Sequence, residues 1–203
     1  MSANAWAAAV AVEPDPATLG AIAVDDPDPR VRAVAIASLV RRAPQRVSAP
    51  VWRRTVGDPD PGVRRRSAEI APRLGRSASV PALVVLLADT DAWVAEAAAY
   101  ALGEHPRPTR GAIAALVHAA TRHADPLVRE AAVAALGAQG DATTLPAVIA
   151  ACDDKPAIRR RAVLALAAFD GPEVEARLHA ALTAPDWQVR QAAEDLLAAG
   201  EPG

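Results

Sequence analysis

Residues 125–137 read Asp-Pro-Leu-Val-Arg-Glu-Ala-Ala-Val-Ala-Ala-Leu-Gly, and this stretch decides the fold. With Val128 as origin, apolar or small residues fall at offsets 0, +4, +7 and +8: Val128, Ala132, Ala135 and Leu136. That spacing marks one face of an α-helix. Asp125 precedes it and suits an N-cap, because its carboxylate can accept the free N–H groups of the first turn and complement the positive end of the helix dipole. Pro126 favours a turn at this point. Gly137 stands where a C-cap is expected, as does Gly103, with Gly171 and Gly200 a little further out from their helices.

The same stretch recurs. Asp28-Pro-Arg-Val31-Arg32, Asp60-Pro-Gly-Val63-Arg64, Asp91-Ala-Trp-Val94-Ala95, Lys155-Pro-Ala-Ile158-Arg159 and Asp186-Trp-Gln-Val189-Arg190 align with it. Successive origins are 32, 31, 34, 30 and 31 residues apart. So even a period marks a repeat array. A second helix is expected ahead of each copy, over 16–24, 48–56, 77–88, 109–122, 141–152 and 172–183. Pro50, Pro81 and Pro146 fall 12 or 13 residues before their origins and read as first-turn prolines, where a missing N–H costs nothing. The unit is helix A, a tight turn, helix B and a short link.

Composition agrees. Of 203 residues, 53 are alanine and only 3% are aromatic. A core with so little bulk needs close backbones, which alanine-rich helices provide and β-sandwiches do not. The net charge of −2 argues against a generic nucleic-acid or membrane-surface binder. The single Cys152 excludes an intramolecular disulfide and a cysteine-rich metal site. No apolar run reaches 18 residues and no basic segment precedes residues 7–12, so neither a membrane span nor a signal peptide is expected. The expected address is cytoplasmic, and 21 arginines against one lysine fit a GC-rich, bacterial genome.

The Asp-Pro-x-Val-Arg…Ala…Ala-Leu-Gly pattern resembles the HEAT-like repeats of the phycocyanobilin lyase type, over roughly residues 14–200. The resemblance implies an all-α fold, a right-handed α-α superhelix of about six hairpins plus an N-terminal capping helix. As a single domain over 1–203, it divides into a cap at 1–13, carrying Trp6, and repeats at about 14–43, 44–75, 76–104, 105–140, 141–170 and 171–203. Solenoid ends need caps because an unpaired repeat leaves an apolar face wet. The resemblance also implies that the turn aspartates and helix-B arginines tie repeat to repeat: Asp28, Arg32, Asp60, Arg64, Asp125, Arg129, Arg159, Asp186 and Arg190. Ala95 in the third copy and Lys155 in the fifth, with Asp154 one step off, depart from that pattern.

The resemblance places the B helices on the concave surface. With offsets 0, +4, +7 and +8 buried, +2, +5, +6 and +9 are expected to face away from the core. The candidate binding residues are Arg65, Glu69, Glu96, Tyr100, Glu130, Val133, Arg160, Leu164 and Gln191. Charges lie beside a strip of small apolar residues, which suggests a contact surface for a protein, a helix or an extended peptide. Trp93, Glu96 and Tyr100 make a candidate pocket in the third copy. Trp93 and Trp187 fall just ahead of their origins, where a tryptophan usually covers the edge of the stack.

Catalytic patterns are poor. His118 and His123 are five apart, not the three or four that put metal ligands on one helical face. Neither His105 nor His179 completes a triad, and no phosphate loop occurs. Cys152 reads as a small buried filler. No metal, cofactor or catalytic residue is expected, and the leading reading is a non-catalytic scaffold or adaptor for a protein or peptide. Two alternatives follow from resemblance alone: a DNA-binding protein or alkylated-base glycosylase built from HEAT-like repeats, and a tetrapyrrole lyase or chaperone-like subunit. Duplex DNA is disfavoured by the net charge.

Overall fold

A computed structural model describes residues 15–106 and 108–200; the expected cap at 1–13 lies outside them. Every regular element among the described residues is helical. The described residues form twelve α-helices: α1 (Pro16–Asp25), α2 (Pro29–Arg42), α3 (Ala49–Val56), α4 (Pro61–Ile70), α5 (Arg76–Leu86), α6 (Ala92–Gly103), α7 (Arg110–Arg122), α8 (Pro126–Gln139), α9 (Leu145–Ala151), α10 (Pro156–Ala165), α11 (Pro172–Ala181) and α12 (Trp187–Gly200). Odd-numbered helices are the A helices and even-numbered ones the B helices. The chain divides into two compact units, Met1–Leu102 and Gly103–Gly203.

In the first unit α1 pairs with α2 and α3 with α4, while α1 packs on α3 and α2 on α4. In the second unit α7 packs on α8, α9 on α10 and α11 on α12; α8 packs on α10 and α10 on α12. Each unit is thus two layers, an A layer and a B layer, with the core between them. Val31, Val63, Val94, Val128, Ile158 and Val189 are all buried, as are the six residues at +4.

Local chemistry sets the starts. The carboxylates of Asp28, Asp60 and Asp125 accept the N–H groups of Arg30, Gly62 and Leu127 at the starts of α2, α4 and α8. Asp91 accepts those of Trp93 and Val94. Pro50 and Pro146 lie in first turns as expected. Pro81 does not: it is inside α5, because that helix begins at Arg76, five residues ahead of the proline. The cap of α8 is Gly140, left-handed at φ 59°, whose N–H donates to the Leu136 carbonyl at 3.0 Å. Gly137 serves close approach instead. A Cβ there would lie 2.7 Å from Ala165 Cβ, so α8 and α10 meet almost backbone to backbone.

The buried arc of the B helices is wider than the sequence reading allowed. Offset +5 is buried in five copies, at Ile36, Ala68, Ala99, Val133 and Val163, and exposed only at Glu194. The expectation that Val133 faces a partner is therefore corrected: it has 0% exposure. A B helix packs against its own A helix and against neighbouring B helices. At about 100° per residue, +5 lies roughly 60° beyond +8 and falls within that second contact.

Candidate functional site

The same geometry governs offset +1, which lies between +8 and +5 on the helical wheel. An arginine there points into the inter-repeat seam and needs partners. Arg32 Nε and Nη2 donate to Asp58 at 2.8 and 2.7 Å, and its Nη1 donates to the Asp26 carbonyl at 2.8 Å. Arg64 repeats the pattern with Asp89 at 2.6 and 2.8 Å and the Asp58 carbonyl at 2.9 Å. Arg129 repeats it with Asp154 at 2.8 and 3.0 Å and the His123 carbonyl at 2.9 Å. One nitrogen of each guanidinium holds its own A–B turn and the opposite edge grips a carboxylate of the next repeat in bidentate fashion.

The acids in these pairs differ from those expected. Asp28, Asp60 and Asp125 cap their own helices, and the bridging carboxylates are Asp58, Asp89 and Asp154. A capping carboxylate is already turned toward the helix start, whereas an acid two residues earlier, as at Asp58 and Asp89, or one residue before the N-cap Lys155, as at Asp154, faces the preceding repeat. That acid also accepts the N–H of the capping residue: Asp58 from Asp60 and Asp89 from Asp91, both at 2.9 Å. The signal was present as Asp-x-Asp at 26–28, 58–60 and 89–91. In the fourth copy His123 holds the equivalent place, its Nδ1 accepting the Asp125 N–H at 3.1 Å. Burial opposes ionisation of Asp58 and Asp89, but the arginines and the turn N–H groups outweigh it and hold both below the usual carboxylate range. Arg129 does the same for Asp154, against its burial. Arg190 holds its own turn through the Ala184 carbonyl at 2.7 Å, and Arg159 makes a single bond, to the Asp154 carbonyl at 3.1 Å. Neither pairs with an acid among the described residues, so neither forms the expected tie within them.

The outward face carries the other candidates. On α6, Trp93, Glu96 and Tyr100 stand at i, i+3 and i+7, so they share one face. Trp93 is 54% and Tyr100 42% exposed, and Glu96 is partly exposed. The Arg65 guanidinium of α4 lies 5.5 Å from the centre of the Trp93 ring, a cation–π contact. Arg65 also pairs with Glu69 at 3.1 Å, and Arg66 with the same carboxylate at 2.7 Å. The structure thus gathers Arg65, Glu69, Trp93, Glu96 and Tyr100 within the first unit.

In the second unit Arg160 donates to Asp186 and to the Gln188 side chain, both at 3.1 Å, and Arg161 faces Glu130 at 3.6 Å. Asp186 therefore bridges repeats through the +2 arginine, not the +1 arginine. Leu164 is 51% exposed beside these pairs, and Gln191 is bonded to Asp195 at 2.9 Å. Trp187 is 65% exposed. Trp52, by contrast, is buried in the first unit, with its indole N–H donating to the Ala78 carbonyl at 3.1 Å. Among the described residues no three His, Cys, Asp or Glu side chains are grouped to hold a metal ion, and no helix is long and apolar enough to cross a membrane. Cys152 is buried, and burial pushes its thiol up.

The model of HEAT repeats matches the chain in four overlapping stretches, residues 16–103, 50–131, 80–158 and 113–198. No curated protein matches it. Among solved structures, the Escherichia coli protein YibA is similar at 20% identity and a TM-score of 0.65, over 98% of this chain and 71% of that one. A designed armadillo repeat protein in complex with the peptide (KR)4 is similar at 15% identity and a TM-score of 0.59, over 98% and 100%. Computationally designed armadillo repeat proteins for modular peptide recognition are similar at 17% identity and a TM-score of 0.60, over 92% and 99%. At such identities the likeness shows the fold alone. With valine or isoleucine origins buried in all six copies and the family model matching from residue 16 to 198, the chain belongs to the HEAT-repeat family.

Proposed function

We propose that the protein is a non-catalytic scaffold that binds an extended peptide or a protein segment on the outward faces of its B helices. The observation that carries this reading is the exposed pair Trp93 and Tyr100, two turns apart on α6 with Glu96 between them. These two exposed aromatics share one helix face with a carboxylate. They suit a segment that brings a basic side chain, which an aromatic face and an acid bind together. Solenoid relatives built for peptide recognition, one of them holding (KR)4, support the reading. The DNA alternative is weakened because the net charge is −2 and the outward B-helix arginines Arg65, Arg66, Arg160 and Arg161 already face Glu69, Asp186 or Glu130.

A peptide of alternating lysine and arginine is the first probe, with tryptophan fluorescence as readout. Trp93→Ala and Tyr100→Ala are each expected to weaken binding about tenfold or more, the scale of a truncated interface anchor. Arg65→Glu and Arg160→Glu are expected to change affinity with little change in melting temperature, since both side chains are partly solvated. Unchanged affinity in the aromatic variants would refute the site, and a large loss of stability in the charge-reversed ones would make those arginines structural.

A further inference from the structure

Three of the seams in this chain are closed by an arginine whose Nε–Nη2 edge holds a carboxylate 25 or 26 residues ahead. The fifth copy presents the same arginine to no such acid. Measured back from the buried origin, Ala184 stands before Val189 where Asp58 stands before Val63 and Asp89 before Val94. Arg159 spends Nη2 on the Asp154 carbonyl, and no carboxylate among the described residues meets its remaining N–H groups. In the space left by the missing acid is a cleft of about 190 Å³, lined by Arg159, Arg177, Cys152, Ala184 and Val189, with Asp153 at the rim.

The geometry points to this cleft as a binding site for a single carboxylate supplied from outside the seam. Asp58, Asp89 and Asp154 show what a seam guanidinium grips, a planar oxyanion; Arg159 turns its Nη2 to the Asp154 carbonyl where its counterparts use Nη1, and its Nε and Nη1 groups remain for such a partner. The cleft adds a second guanidinium, Arg177, and Asp153 is the one acid that faces it. Asp153 is engaged with Arg177 and largely exposed, so two cations meet one anion and a positive charge is left over. Cys152 presents a neutral thiol, because burial raises its pKa, and does not repel an incoming anion. The volume is below the usual range for drug-sized ligands, so the cleft takes a group of acetate size. The carboxylate comes either from a small free acid or from an aspartate or glutamate side chain of a bound segment. This site is separate from the aromatic patch and stands whether or not that patch binds a peptide.

The test uses acetate as probe, against chloride at matched ionic strength, with the melting temperature of the full chain as readout. Saturable stabilisation by acetate, roughly 3–6 °C at about ten times its Kd, is expected. Ala184→Asp restores the internal partner, so it is expected to raise the melting temperature without ligand and to abolish the acetate response. Arg159→Gln is expected to abolish the response without that gain. A glutamate-rich peptide acting at lower concentration than acetate, and blocked by both substitutions, assigns the carboxylate to a partner; acetate acting alone assigns it to a free acid. Equal effects of acetate and chloride, or an acetate response that survives in Ala184→Asp and Arg159→Gln, would overturn the proposal.

Discussion

Arg32 and Asp58 show how a charged residue is accommodated inside a repeat seam. Both side chains are buried, and the guanidinium satisfies two turn carbonyls as well as the carboxylate. Among the described residues no buried side-chain nitrogen or oxygen lacks a partner. Arg32→Ala leaves Asp58 charged and unpaired, and the expected cost is about 3–5 kcal/mol by urea unfolding. Arg129→Ala is expected to cost less, about 1–2 kcal/mol, because Asp154 is more exposed and water can replace the guanidinium. Acid acts on the same pairs. The folded pKa values of Asp58, Asp89 and Asp154 lie below the unfolded value of about 4. Their contribution is therefore complete above about pH 4 and lost as pH falls through the lower folded values. Stability measured from pH 6 to pH 2 is expected to fall at the acid end, with a shallower fall in Arg32→Ala. Equal slopes in the two proteins would remove the pair from the account.

At the scale of the element, the repeat depends on helices that touch through small residues. Gly137 on α8 faces Ala165 on α10, and an added Cβ would meet both Cβ and Cα of that alanine. A flexible side-chain tip could yield, but backbone atoms cannot. Gly137→Ala is therefore expected to destabilise by about 1–3 kcal/mol through overpacking, even though alanine favours helix elsewhere. A stabilised variant in thermal unfolding would show that the two helices are free to part. The same closeness explains the burial of offset +5. With alanine at so many contacts, neighbouring B helices approach far enough to enclose a residue that a lone amphipathic helix would expose.

At the scale of the molecule, each repeat leans on its neighbours, as in other solenoid proteins. Val128 has 0% exposure between such neighbours. Val128→Asp puts an unpaired carboxylate there and is expected to remove several kcal/mol, enough to abolish a sharp unfolding transition by circular dichroism. A variant that melts with the cooperativity of the parent would mean that the helical phase assigned to all six copies is wrong. That phase is legible in the sequence, since offsets 0 and +4 are buried in every copy as the spacing implies. The partners of the seam arginines were not legible. Asp28 and Asp58 are equally acidic in the sequence, and only packing separates the cap from the bridge.

The sequence by itself determined the helical hairpins, their period and the burial of offsets 0 and +4. Those properties follow from hydrogen bonding and side-chain spacing within a single helix, which the order of residues specifies directly. Tertiary structure alone decided that Val133 is enclosed, that Trp93 stands in water with Arg65 above it, and that Arg159 faces a cleft where its counterparts face an aspartate. Each depends on how closely two helices some 25 to 30 residues apart approach. That distance comes from side-chain volumes summed across a whole seam, and no single stretch of sequence encodes it.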